Sequence, residues 1–160
     1  MPLVNRWLNI LLTEDNSDDV FFFQNAFKKA GGSGILHAVS DGLEALAYLT
    51  GEGAYSDRAM YPFPDVLLLD LNMPRMNGFE VLEWVRQDPT CSRLTVYILT
   101  SSSREADVQR AYELRANSYV VKPTRVDQLV AFVTTLHEWH RFIALPINKQ
   151  SAKIEPQPVV

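Results

Sequence analysis

The sequence lacks the features that mark secreted, membrane-spanning or nucleic-acid-binding proteins. Cys91 is the only cysteine, so no internal disulfide can form. The amino terminus has neither the basic start nor the small-residue cleavage site of a signal peptide, and the apolar run from Leu8 to Leu12 is too short to span a bilayer. A net charge of -4 gives no reason to expect nucleic acid or an anionic membrane as a partner. These absences predict a cytoplasmic protein.

One stretch near the middle of the chain organises the interpretation. The apolar run from Val66 to Leu69 is typical of a strand buried on both faces, and it ends at the carboxylate of Asp70. Turn residues follow at Pro74 and Gly78, so the chain leaves the sheet there. Open α/β sheets bind ligands at this edge, which makes Asp70 a candidate nucleophile or metal ligand.

The whole chain follows an alternating strand and helix pattern. A length of 160 residues suits one domain. Five apolar runs alternate with five segments at helical spacing, the last from Arg125 to about Phe142, which predicts an α/β parallel sheet with helices on both faces. Strands are expected at 8–12, 35–39, 66–69, 94–99 and 118–121.

Local signals add detail to this pattern. Asn16 or Ser17 can cap the first helix, and Ser102 with Glu105 has capping-box spacing before the fourth. The connection over 51–64 is long for a βα unit, so it is either a partner-binding loop or a packed surface excursion.

Four predicted strands end in side chains that suit phosphoryl transfer: Glu14 and Asp15, Asp70, Thr100, and Lys122. Two carboxylates about 4 Å apart repel by about 4 kcal/mol at an effective dielectric constant of 20, and a divalent cation would remove that repulsion. Oxygen ligands with room for water favour Mg²⁺. Together with an aspartate nucleophile, these groups are what phosphoryl transfer requires.

In this order and spacing the residues resemble the receiver domain of response regulators in bacterial two-component systems, over about residues 8–142. The resemblance implies a flavodoxin-like, doubly wound, five-stranded sheet of order 2-1-3-4-5, as in single-domain chemotaxis regulators. It also implies a receiver domain over 1–145 and a proline-containing tail over 146–160. A DNA-binding output domain is not expected.

The resemblance implies a role for each matching residue. Asp70 would accept a phosphoryl group from a sensor histidine kinase, and Lys122 would pair with the phosphoryl oxygens. Asp15, the Asp70 side chain and the Asn72 backbone carbonyl would hold Mg²⁺. Glu14 stands where the family most often has aspartate, so its metal contact would run through water.

A conformational switch is also implied by the resemblance. Thr100 would move to hydrogen-bond the phosphoryl group, and Tyr119 would turn inward behind it. A cis bond before Pro123 would aim the preceding lysine. Ser102, two residues beyond the threonine, would tune the phosphoryl lifetime. The implied protein is a phosphoacceptor with slow autodephosphorylation, not an enzyme acting on other substrates.

A finer resemblance, to single-domain regulators paired with bacterial phytochrome kinases, lies in the 51–64 insertion, the sequence from Lys122 to Arg125 and the aromatic end of the last helix. The last helix also suggests a partner. Apolar residues cover about half of this helix, more than docking on one sheet needs. They form two stripes: Val126, Leu129, Val130, Val133 and Leu136, then Phe132, Leu136, Trp139 and Ile143. We expect a homodimer through this face and the tail. The alternative is a tail that folds back over the helix.

Four rival interpretations fit less well. A haloacid dehalogenase phosphatase resembles an Asp-x-Asp-x-Thr pattern on the first strand, whereas this nucleophile is on the third. A flavin-binding protein needs a glycine- and hydroxyl-rich loop where Glu14 and Asp15 stand. A receiver that signals without phosphorylation would not need the complete acceptor set. A zinc site at His137 and His140 lacks further ligands.

Overall fold

The computed structural model describes residues 7–31 and 34–146. Five parallel strands form one sheet in the order β2-β1-β3-β4-β5, and five helices connect or follow them, as predicted. The strands are β1 Ile10–Thr13, β2 Leu36–Val39, β3 Val66–Leu69, β4 Thr95–Thr100 and β5 Ser118–Val121. The helices are α1 Ser17–Lys29, α2 Gly42–Thr50, α3 Gly78–Gln87, α4 Glu105–Glu113 and α5 Val126–His140.

The core lies in two layers, one on each face of the sheet. Because side chains alternate along a strand, Leu67 and Leu69 of β3 face the layer under α2, α3 and α4. Val66 and Leu68 face the layer under α1 and α5. All four are fully buried, and each buried leucine or valine contributes roughly 1.5–3 kcal/mol of transfer free energy. The central strand is therefore fixed, and with it the position of Asp70.

Side-chain caps begin the first three helices. Asn16 accepts hydrogen bonds at the start of α1, as predicted, and Asp41 caps α2. Asn77 and Glu80 form a capping box at α3 that the sequence prediction missed. The capping box predicted at Ser102 is wrong. Helix α4 begins after Arg104 without a side-chain cap, so Ser102 lies too far from the helix start.

The 51–64 segment is packed onto the domain. It contains a 3₁₀ turn at Gly53–Tyr55, and Phe63 is buried beneath it. The Arg58 guanidinium donates to the carbonyls of Tyr48 and Leu49 at 2.6 and 2.7 Å, at the end of α2. The bond to Leu49 supplies a donor for a carbonyl at the helix terminus, and the bond to Tyr48 adds a second donor to a carbonyl that already accepts from the Gly51 N–H. This packing agrees with the prediction that the 51–64 connection is a packed surface excursion.

Helix α5 buries part of its apolar surface. Val133 and Leu136 are buried as expected, but the prediction that Val126 lies in the core is wrong. Val126 is 48% exposed because it lies in the first helical turn, where it lines a surface cavity. Trp139 and Phe142 are also exposed, at 57% and 71%. The predicted 146–160 tail lies outside the described residues apart from its first.

No helix within residues 7–31 and 34–146 is both long enough and apolar enough to cross a membrane.

Candidate functional site

The ends of the central strands bring the predicted carboxylates together. Thr13 pairs with Leu69 in the sheet, so Glu14 and Asp70 are the next residues on neighbouring strands. The Asp70 N–H donates to the Thr13 carbonyl at 3.2 Å, and the Glu14 N–H donates to the Val39 carbonyl at 3.0 Å. Backbone hydrogen bonds therefore fix both residues at the carboxyl edge of the sheet.

Three carboxylates meet at this edge. Glu14 and Asp70 are buried, at 4% and 5% exposure, whereas Asp15 is exposed. One oxygen from each lies within 4.8 Å of the others. Carboxylate oxygens on a partly open site suit a hard divalent cation that keeps some water ligands. These residues fit Mg²⁺, and the exposed Asp15 leaves the site open to solvent.

Lys122 supplies the positive charge. Its ammonium contacts the carboxylates of Glu14, Asp19 and Asp70, with 3.1 Å from Nζ to the nearest oxygens of both aspartates. The Lys122 backbone N–H donates to the Thr100 carbonyl at 2.7 Å, which holds the residue at the end of β5.

The predicted cis bond before Pro123 is wrong, because that peptide bond is trans. The trans form is the more stable for most prolines. The ion pairs to Glu14, Asp19 and Asp70 hold the Lys122 side chain toward the carboxylates from this trans backbone.

Burial and charge perturb the proton affinities of the cluster. Burial raises the pKa of Glu14 to about 7, with a smaller contribution from the Asp70 charge, although the hydrogen bond with Lys122 acts the other way. Burial alone would lower the pKa of Lys122, but the Glu14 hydrogen bond and the Asp70 charge outweigh it, so that pKa is raised. Lys122 is therefore cationic at neutral pH, and Glu14 binds a proton more tightly than a free glutamate does.

The loop after β3 shapes the acceptor. The Asn72 N–H donates to Asp70 Oδ1 at 3.3 Å. Gly78 lies so close that a Cβ there would be 2.2 Å from the Asp70 carbonyl oxygen, so the backbone would have to shift to admit a side chain. Arg75 has a φ of 63° and its guanidinium forms an ion pair with the buried Asp41 at 2.5 Å. This pair ties the acceptor loop to the start of α2.

Thr100 and Tyr119 lie near the carboxylate cluster, and both form a hydrogen bond with Ser102. Thr100 is fully buried at the end of β4, and its Oγ1 accepts a 3.4 Å hydrogen bond from the Ser102 N–H. The Tyr119 hydroxyl donates to the Ser102 carbonyl at 2.9 Å. Burial raises the Tyr119 pKa, so the hydroxyl keeps its proton. Both predicted switch residues thus meet at the β4–α4 loop.

A cavity of about 440 Å³ opens beside Lys122, between α1 and the start of α5. Phe22 and Val126 form apolar parts of its wall, while Asp19 and Lys122 contribute charges. The site therefore has an open side next to the lysine.

Sequence reasoning missed three contributors. Asp19 contacts Lys122, Arg75 pairs with Asp41, and Asp107 accepts a 2.6 Å hydrogen bond from the Ser102 hydroxyl. Of these, only the position of Asp19 could have been predicted from the sequence, because a residue in the first turn of α1 lies near the end of β1. His140 faces the Tyr97 hydroxyl, and the described residues hold no histidine metal cluster.

Comparisons with known proteins agree with this geometry. A family model for the response regulator receiver domain matches residues 10–134. The response regulator Rcp1 of Synechocystis sp. is 36% identical over 138 residues, which are 86% of this chain and 92% of that protein.

Two solved structures are also similar. One is the phosphorylated cyanobacterial phytochrome response regulator RcpA, with 36% identity, a TM-score of 0.80, and coverage of 89% of this chain and all of that one. The other is the Mn²⁺-bound form of Rcp1, with 34% identity, a TM-score of 0.75, and coverage of 87% and 99%. The chain therefore belongs to the response regulator receiver domain family.

Proposed function

We propose that this protein is a response regulator that accepts a phosphoryl group on Asp70 in a Mg²⁺-dependent reaction. The observation that carries the proposal is the contact between the Lys122 ammonium and Asp70, 3.1 Å from Nζ to Oδ2, beside three carboxylates that lie within 4.8 Å. The Mn²⁺ named for Rcp1 and the phosphorylated state named for RcpA support the same chemistry here.

The residues divide the reaction between them. An oxygen of the Asp70 carboxylate forms a bond to phosphorus, and the bond from phosphorus to the donor nitrogen or oxygen breaks, so the leaving group takes the electron pair. Lys122 donates a hydrogen bond to a phosphoryl oxygen, because the negative charge moves outward onto that group. Asp15, Asp70 and the Asn72 carbonyl would hold a divalent cation, with Glu14 acting through water, and the cation would supply charge neutralisation.

Thr100 and Tyr119 then convert phosphorylation into a conformational change. The Thr100 hydroxyl turns to donate to a phosphoryl oxygen, which weakens its contact with the Ser102 N–H, 3.4 Å away. Since Tyr119 also holds the loop at Ser102, the loop and the tyrosine shift together. The surface around α4 and β5 changes as a result. This makes the protein a phosphoacceptor signalling protein with slow autodephosphorylation, not a catalyst for other substrates.

The phosphodonor partner is a sensor histidine kinase, and the similarity to phytochrome response regulators favours a phytochrome kinase. Such a kinase would act in the cytoplasm. Intact-protein mass after incubation with acetyl phosphate and Mg²⁺ tests the reaction: the wild type and Asp18→Asn gain one phosphoryl group, whereas Asp70→Asn does not. A gain by Asp70→Asn, or by the wild type in excess EDTA, would contradict the proposal.

We further propose a homodimer through α5, with the receiver over 1–145 and the 146–160 tail added to the interface. Trp139 and Phe142 are more than half exposed, and Leu145 packs against the apolar layer under α1 and α5. Two exposed aromatic side chains near the end of one helix suit a self-complementary contact. Light scattering should report a dimer for the wild type and a monomer for Trp139→Ala, while a wild-type monomer would contradict the proposal.

A further inference from the structure

Asp19 is the third carboxylate that holds Lys122, and its surroundings differ from those of the other two. Its Oδ2 lies 3.1 Å from Lys122 Nζ, as does an oxygen of Asp70. The Asp19 side chain is 46% exposed, whereas those of Glu14 and Asp70 are 3% and 6% exposed. Asp19 is thus the most exposed of the three carboxylates that contact the Lys122 ammonium.

The three contacts use the whole donor capacity of the lysine. An ammonium group has three N–H donors, and the Lys122 nitrogen contacts an oxygen of each of Glu14, Asp19 and Asp70, one acceptor for each donor. A phosphoryl oxygen that needs Lys122 must therefore take a donor from one of these carboxylates. Breaking the contact with Asp19 costs the least free energy, because exposed ion pairs contribute only about 0–1 kcal/mol to stability.

The same carboxylate also repels an incoming donor. Because Lys122 Nζ lies 3.1 Å from both aspartates, the two nearest aspartate oxygens are at most about 6 Å apart. A phosphodonor that reaches Asp70 is anionic, so it meets the Asp19 charge at a similar distance. At that distance, in a water-like dielectric, one unit charge changes a rate by about threefold.

We propose that Asp19 is a positioning residue that holds one N–H of Lys122 away from the phosphoryl group and so slows phosphorylation of Asp70. This inference rests on the proposed function of Asp70 as the acceptor. Asp19 and Lys122 line the same cavity, which gives the lysine side chain room to move when the contact is released.

Rates of phosphorylation by acetyl phosphate with Mg²⁺, followed by intact mass, test the inference. Asp19→Asn should react at least about threefold faster than the wild type, because it removes the repulsion and also loosens the hold on Lys122, and Asp19→Glu should return toward the wild-type rate. Asp18→Asn is the matched control, because Asp18 has the same charge in the same helical turn, and the contacts described for Lys122 do not include it. Equal rates for Asp19→Asn and Asp18→Asn would overturn the inference.

The same substitutions in a Lys122→Met protein separate the positioning of Lys122 from simple charge repulsion. In Lys122→Met, the effect of Asp19→Asn should be smaller than in the wild-type background, because only the charge repulsion remains and there is no ammonium left to hold. An undiminished effect there would overturn the positioning role. Thermal unfolding of Asp19→Asn and Asp18→Asn should agree, which excludes a folding defect as the cause. A wild type that does not react at all would instead overturn the proposed function.

Discussion

Glu14 makes the free energy of unfolding depend on pH when no divalent cation is present. Its side chain is 3% exposed, and burial raises its pKa from 4.5 to about 7. The folded state therefore binds this proton more tightly than the unfolded chain does. The resulting stability is fully present below about pH 4.5 and is lost as the pH rises through about 7.

The size of the effect follows from the pKa difference. A rise from 4.5 to about 7 corresponds to a loss of at most about 3 kcal/mol across that window. Lys122 does not add to it, because its pKa is raised and it stays protonated throughout. Replacing the carboxyl by a neutral amide of similar shape removes the titration, so Glu14→Gln should be less sensitive to pH.

Urea unfolding in EDTA between pH 4.5 and pH 8 measures this. The wild type should lose up to about 3 kcal/mol relative to Glu14→Gln over that range, and saturating Mg²⁺ should reduce the loss. Glu83→Gln is the control, because Glu83 is exposed on α3. Parallel pH profiles for the wild type and Glu14→Gln in EDTA would refute the reasoning.

Three further substitutions test other parts of the structure. Gly78→Ala should slow phosphorylation in the mass assay and lower the free energy of unfolding by about 1–3 kcal/mol, because its Cβ would meet the Asp70 carbonyl at 2.2 Å. Arg58→Met should cost about 2 kcal/mol in urea unfolding, since two α2 carbonyls lose a charged donor. Ser102→Lys should slow loss of the phosphoryl mass once the donor is removed, because a larger side chain obstructs the attacking water; an unchanged half-life would contradict this.

The sheet was predictable because its signals are local and redundant. Four apolar residues followed by Asp70 suffice to identify β3, and the parallel pattern fixes where the strands end together. The meeting of Glu14, Asp15, Asp70 and Lys122 follows from that pattern alone. The prediction therefore needed no knowledge of side-chain conformation.

What was missed depends on contacts between distant segments. The ion pair between Arg75 and Asp41 joins loops 34 residues apart, and no local spacing indicates it. Ser102 has the spacing of a cap, but its hydroxyl donates to Asp107 instead, because α4 begins only after Arg104. Val126 follows the apolar periodicity of α5 yet lies at the wall of a cavity, since periodicity cannot show where the packed surface ends.

The central claim is that the carboxylate of Asp70 forms an acyl phosphate. Treatment with acetyl phosphate and Mg²⁺, reduction with borohydride, and peptide mapping test it most directly, because reduction converts an aspartyl phosphate to homoserine. The account predicts homoserine at position 70 and unmodified aspartate at positions 15 and 19. Homoserine at either of those positions, or none at position 70, would contradict it.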